Sequence, residues 1–166
     1  MRLKFHRLSK SETKELIRRL EERFGAWSKR SEAMVLKGEG VTLYKLDDVV
    51  LFESDGEVVP VIDERNERLL AMMPSVKVDS GAVSRVAEGA DVMRPGIRSV
   101  EGEFGENDVV VVRDEVYLKP IALCRALVNS KELVGLSKGR VLKNFHHVGD
   151  ETWRTARRLL DDHRIT

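Results

Sequence analysis

The sequence predicts an α+β protein, with a small helix-and-strand module followed by a strand-rich, barrel-like module that ends in a helix. Three observations carry this. Apolar residues recur at helical spacing across residues 9–24 and again across 150–160. Between these stretches, two-residue alternation and short apolar runs dominate, punctuated by Gly, Pro and Asp. Many short strands joined by tight turns around few helices describe a small closed or nearly closed barrel. A chain of 166 residues can bury such a core as one domain or two small ones.

The elements follow in order. Ser9 with Glu12 makes a capping-box pattern, in which each side chain satisfies a backbone donor left open by the first helical turn. Leu16, Ile17, Leu20 and Phe24 form the buried stripe and Gly25 the stop, while Lys14, Arg18, Arg19 and Arg23 form a basic face. Residues 41–46 and 49–52 read as strands around the Asp47-Asp48 turn, and Ser54-Asp55-Gly56 leads into a third strand at 58–62. Pro60 assigns that strand to an edge or a strand end, because proline has no N–H for a ladder. Asp63 caps a short helix through Leu69 and Leu70. Pro74 then biases Met73 away from the helical region, which places a module boundary at 73/74.

The second half opens with a strand at 76–78 and a helix at 80–88, whose inner face is Ala82, Val83, Val86 and Ala87. Gly89 stands where a left-handed residue ends a helix. A strand at 90–93, a Pro95-Gly96 turn and an apolar run at 109–112, buried on both faces, come next. Residues 117–128 read as one long strand or a bent pair, and 138–147 as the last strand. Asp150 caps the final helix, which buries Trp153, Ala156, Leu159 and Leu160 and leaves Arg154, Arg157 and Arg158 outside.

Composition narrows the function classes. At 42% hydrophobic and 34% charged residues the chain reads as folded and soluble. Its apolar runs are far too short to cross a bilayer, and Met1 to Arg7 lack the apolar core of a signal peptide, so no membrane is expected. One cysteine, Cys124, cannot form an internal disulfide, which fits a reducing, cytoplasmic setting. Cys124 shares a small-residue face with Ala122, Ala126 and Val128 and has no base beside it, so it reads as core and not as a nucleophile. His146-His147 has no matching Cys or His cluster for zinc, and Gly102-Glu103-Phe104-Gly105 lacks the Lys-Ser/Thr of a phosphate loop. With no acid–base pair or nucleophile in view, the chain reads as a binding protein without cofactor or metal, not an enzyme.

The net charge of +1 hides segregation. Residues 1–31 carry ten Lys/Arg against four Asp/Glu, residues 32–74 four against ten, and residues 138–166 seven against four. Two basic ends around an acidic middle either steer a polyanion or mark two solvated helices. The acidic 32–74 segment also offers a docking face for a basic partner.

Five motifs then converge. Val78-Asp79-Ser80-Gly81-Ala82, Gly89-Ala90-Asp91-Val92-Met93, Pro95-Gly96-Ile97, Lys138-Gly139-Arg140 and His147-Val148-Gly149-Asp150 with Trp153 resemble, in that order and spacing, a PUA domain, the RNA-binding pseudo-barrel. Val58-Val59-Pro60-Val61, residues 69–73 and the basic first helix resemble the pre-PUA module of the malignant-T-cell-amplified-sequence family, in its archaeal type. The resemblance implies a pre-PUA-like α+β module at 1–73, a PUA pseudo-β-barrel at 74–153 and a basic C-terminal helical extension at 154–166. Two departures stand out: Cys124 occupies a common glycine position, and the tail from Arg154 is longer and richer in arginine.

In function, the resemblance implies a non-enzymatic RNA-binding protein of translation, acting on ribosomal RNA or tRNA in initiation or recycling. The small ribosomal subunit and an initiation-factor-like protein are the implied partners. An RNA-presenting accessory subunit of a modification or ribosome-assembly complex, and a protein-interaction adaptor, are the alternatives. The implied RNA surface comprises Arg85, Gly89, Ala90, Asp91, Val92, Met93 and Arg94 on one side, with Arg140, Lys143, Phe145 and His146 on the other. Gly89 permits close approach of a nucleic-acid backbone and exposes N–H groups, Arg and Lys reach phosphates, and Phe145 or a histidine stacks on a base. Each has a plain structural counterpart: Gly89 as helix cap, Asp91 as turn residue, Phe145 as core.

Overall fold

The computed structural model describes residues 4–28, 30–38 and 40–161. Met1 to Leu3 of the N-terminal reading and residues 162–166 of the basic extension lie outside the described residues. The chain forms two compact units, one of residues up to Val61 together with those from Arg154, the other of Ile62–Trp153.

In the first unit, β1 (Lys4–Arg7), β2 (Ala33–Gly38), β3 (Val41–Leu46), β4 (Val49–Ser54) and β5 (Glu57–Pro60) form an antiparallel meander in sequence order. Helix α1 (Lys10–Phe24) starts at a complete capping box: Glu12 N–H donates to Ser9 Oγ at 3.1 Å and Ser9 N–H to Glu12 Oε1 at 3.0 Å. Leu16, Ile17, Leu20 and Phe24 are its buried face, each such side chain contributing roughly 1.5–3 kcal/mol. Pro60 ends β5 on the sheet edge, as its missing N–H requires.

The arginines of the basic face of α1 are paired within this unit. Arg18 pairs with Glu15 and Glu22, Arg19 with Glu53, and Arg23 with Glu57, while Arg7 pairs with Glu32. Three of these pairs, those of Arg7, Arg19 and Arg23, join the positive first segment to the negative second one.

The second unit begins with a 3₁₀ turn at Glu64–Asn66, capped by Asp63, and the short α2 (Glu67–Leu70). A mixed six-stranded sheet follows, built from β6 (Ser75–Val78), β7 (Val92–Met93), β8 (Ile97–Glu101), β9 (Val109–Asp114), β10 (Pro120–Ala126) and β11 (Arg140–His147). Its spatial order is β7-β11-β10-β9-β6-β8, with β6 parallel to β9 and every other pair antiparallel. The strands curl into a half barrel around Val76, Val78, Val110, Val112, Cys124, Val141 and Leu142, which α3 (Ser80–Ala87) caps with Ala82 and Val86. Helix α4 (Ser130–Gly135) adds Leu133 to the same core, and α5 (Glu151–Asp161) closes the described chain.

Several expectations need adjustment. Within 117–128 there is one strand, β10 over Pro120–Ala126, entered from a turn in which Asp114 Oδ1 accepts the N–H of Val116 and Tyr117. In α5 the buried residues are Thr155, Ala156 and Leu159, whereas Trp153 and Leu160 are half-buried. Trp153 stops short of full burial because its indole N–H reaches the Ile62 carbonyl at 3.0 Å. Among the described residues no helix is long and apolar enough to cross a membrane. No group of three or more His, Cys, Asp or Glu among them is placed to hold a metal ion.

Candidate nucleic-acid interface

The site is built where the C-terminal end of α3 meets β7 and β11. Asp79 starts α3 by accepting the Ala82 N–H at 2.9 Å. The helix ends at Gly89, whose φ of +102° strongly disfavours an L side chain. A Cβ at Gly89 would stand 3.1 Å from Nε2 of His147, so glycine is also what lets the β11 side chain close against the helix end. His147 Nδ1 lies 2.9 Å from the Val148 carbonyl. A carbonyl only accepts, so Nδ1 carries a proton, and Nε2 is the ring atom that faces Gly89.

The turn after α3 is locked to β11 by two side chains. Asp91 accepts from the Asn144 N–H at 2.9 Å and from Arg140 Nη1 at 3.1 Å. Asn144 Nδ2 donates to the carbonyls of Val86 and Ala90, both at 3.0 Å, which ties β11 to the helix end. Arg94 ties the far side, with its N–H on Gly139 O at 2.8 Å, Nε on Leu133 O at 2.8 Å and Nη1 on Ile97 O at 3.2 Å. The face is rigid before any ligand arrives.

Among the eleven residues that the resemblance implies, Arg85, Ala90, Met93, Arg140 and Lys143 are exposed around this turn. Gly89 and Asp91 sit within it as its geometric supports. Four expectations are corrected. The N–H groups of Gly89 and Ala90 are not open donors: they close the helix end on Val86 O and Arg85 O, each at 3.0 Å. Val92 turns its side chain into the core. Arg94 spends its donors as a brace. His146 is 1% exposed, accepts the Ile62 N–H on Nε2 at 3.1 Å and donates from Nδ1 to Asp150 at 2.9 Å, so it holds the interior and has no edge left for RNA.

A bulge explains the last error. Leu123 pairs with His146 and Cys124 with Asn144, so Phe145 is the extra residue and the alternation shifts by one. Phe145 is half-buried with the Arg125 guanidinium 5.2 Å from its ring centre, which occupies one of its faces. Cys124 is buried, and burial together with the Asp91 charge pushes its thiol well up, as a core residue. Burial works to raise the Asp150 carboxyl, but hydrogen bonds from His146, Trp153 and His147 outweigh it and leave Asp150 below its ordinary value.

Asn144, His147 and Lys138 are the residues that sequence reasoning did not assign to this face. His147 and Lys138 carried a signal, their places in His147-Val148-Gly149-Asp150 and Lys138-Gly139-Arg140, and Asn144 carried none. Among the described residues, Arg85, Lys131, Lys138 and Lys143 pair with no carboxylate, unlike the arginines of α1.

A half barrel plugged by one helix, with a glycine-marked helix end and free cations around it, belongs to one class: the PUA domain family matches residues 74–148. An uncharacterised protein of Methanocaldococcus jannaschii is 41% identical over 63% of this chain and 64% of its own length, just under two thirds. Translation machinery-associated protein 20 of Schizosaccharomyces pombe is 30% identical over 76% of this chain and 74% of that protein. A solved PUA domain from Aeropyrum pernix is 31% identical, with a TM-score of 0.79 over 94% of this chain and 92% of that one. The chain belongs to the PUA-domain family whose members carry the names translation machinery-associated protein 20 and malignant T-cell-amplified sequence 1 homolog.

Proposed function

We propose that this protein is a non-enzymatic RNA-binding factor of the translation apparatus that holds ribosomal RNA or tRNA on the α3–β7–β11 face. The observation that carries the reading is electrostatic. Within the PUA-matched residues, Arg85 on α3 and Lys138 and Lys143 at β11 have no carboxylate partner, while the three arginines of α1 are paired with glutamates. Free cations beside a hydrogen-bonded corner fit phosphate contacts, which position an RNA without reading its sequence. Three such contacts predict that log K falls with log salt at a slope of roughly −2.

In this proposal residues 74–153 are the RNA-binding PUA domain, 1–73 a pre-PUA module and 154–166 a basic extension. Arg85, Arg140 and Lys143 reach phosphates, and Gly89, Ala90, Asp91 and Met93 shape the corner. The name translation machinery-associated protein 20 supports a translation setting; the cytoplasm, the small ribosomal subunit and an initiation-factor-like partner are parts of this proposal. Crosslinking the protein to RNA in its native cells, followed by sequencing, tests it. Enrichment of small-subunit ribosomal RNA or tRNA is expected; recovery of no RNA above background would overturn the reading.

A further inference from the structure

The rim of this face carries more than cations. Residues 134–140, between α4 and β11, are exposed throughout, and they include Val134 at 63% and Leu136 at 39%. Met93 on β7 is 49% exposed. The three belong to one rim: Met93 pairs with Arg140 across the ladder, and Arg94 ties Gly139 and the Leu133 carbonyl to the same strand, each at 2.8 Å. The loop is thus held in shape while its apolar side chains face water. Among them stand Lys131, Lys138 and Lys143, which among the described residues pair with no carboxylate.

The combination selects its ligand. Cations without partners fit a polyanion better than a protein surface of mixed charge. Open apolar side chains fit a base face, which an RNA duplex hides within its stack and an unpaired nucleotide presents. Phe145, the aromatic residue nearest this role in the sequence, already carries Arg125 on its ring.

We propose that the RNA is single-stranded where it crosses the 134–140 turn, with an unpaired base resting on Met93, Val134 and Leu136 and its flanking phosphates on Lys138 and Lys143. This inference rests on the RNA-binding reading of the face.

The test compares a labelled oligouridylate with a blunt RNA duplex. The triple variant Met93→Ser/Val134→Ser/Leu136→Ser should weaken oligouridylate binding by roughly five- to a hundredfold, the loss of one stacked base, and leave duplex binding unchanged. Unchanged oligouridylate binding, or an equal loss on both RNAs, would overturn the proposal and leave the apolar rim to another partner. Because that variant removes three side chains, Val134→Trp supplies a gain: oligouridylate should quench the new indole and bind more tightly, and no quenching would also overturn it. Arg85→Glu/Lys143→Glu separates the two levels. If it weakens both RNAs, the RNA-binding reading stands even where the apolar rim fails. If it binds both like the parent protein, the RNA-binding reading itself falls.

Discussion

Replacing His146 by alanine tests the interior brace beneath the proposed RNA face. The imidazole is buried at 1% exposure and joins the Ile62 N–H, at 3.1 Å, to the Asp150 carboxylate, at 2.9 Å. Without it the Ile62 donor loses its acceptor in the interior, at about 1–3 kcal/mol. The vacated ring volume adds about 2–3 kcal/mol by analogy with other large-to-small core changes. Together these give a loss of about 3–6 kcal/mol, which in a chain of this size lowers the melting temperature by roughly 10 °C or more. Urea unfolding followed by tryptophan fluorescence is the natural assay, since the Trp153 indole is bound to the carbonyl of the same Ile62. His146→Gln, which can keep one of the two bonds, should lose less. A His146→Ala protein within about 1 kcal/mol of the parent would refute the assignment of His146 as a brace.

Gly89→Val should cost about 2–3 kcal/mol, because a β-branched side chain resists a φ of +102° and its Cβ meets His147 at 3.1 Å; a variant that melts with the parent would contradict this. The Asp150 carboxyl is held below its ordinary value, so its stabilisation is complete above that value and disappears as pH falls through the lower folded one. Asp150→Asn should therefore flatten the acid limb of a melting series run from about pH 5 to about pH 2, and an unchanged limb would count against the His146–Asp150 bond. Arg19→Ala/Arg23→Ala should leave RNA affinity and its salt dependence unaltered, because Glu53 and Glu57 already neutralise both side chains; a clear loss in a binding titration would put RNA on α1.

Features encoded locally were readable in the sequence. The α1 capping box, the Asp47-Asp48 hairpin, the edge position of Pro60, the Asp63 and Asp150 caps and the Gly89 helix end each depend on residues within one or two turns of chain. The elements left unassigned gave no such signal. Strands β1 and β8 are largely exposed, so they show little alternation, and α4 is too short for a helical period; β2 was missed as well, although Ala33, Val35 and Leu36 are buried. Partners distant in sequence were equally hidden. Nothing local pairs β6 with β9, matches the arginines of α1 to Glu53 and Glu57, or aims Asn144 at the end of α3. The site was legible where it depends on the α3–β7 turn and misread at the end of β11, because one inserted residue at Phe145 reverses which side His146 faces.

The most direct measurement is photo-crosslinking of the purified protein to RNA, with mass spectrometry of the peptides that carry a nucleotide. Crosslinks on residues 85–94 and 138–147, lost in Arg85→Glu/Lys143→Glu, are the predicted result. Crosslinks confined to α1 or to β1–β5, with those two segments clean, would contradict the assignment of the RNA face.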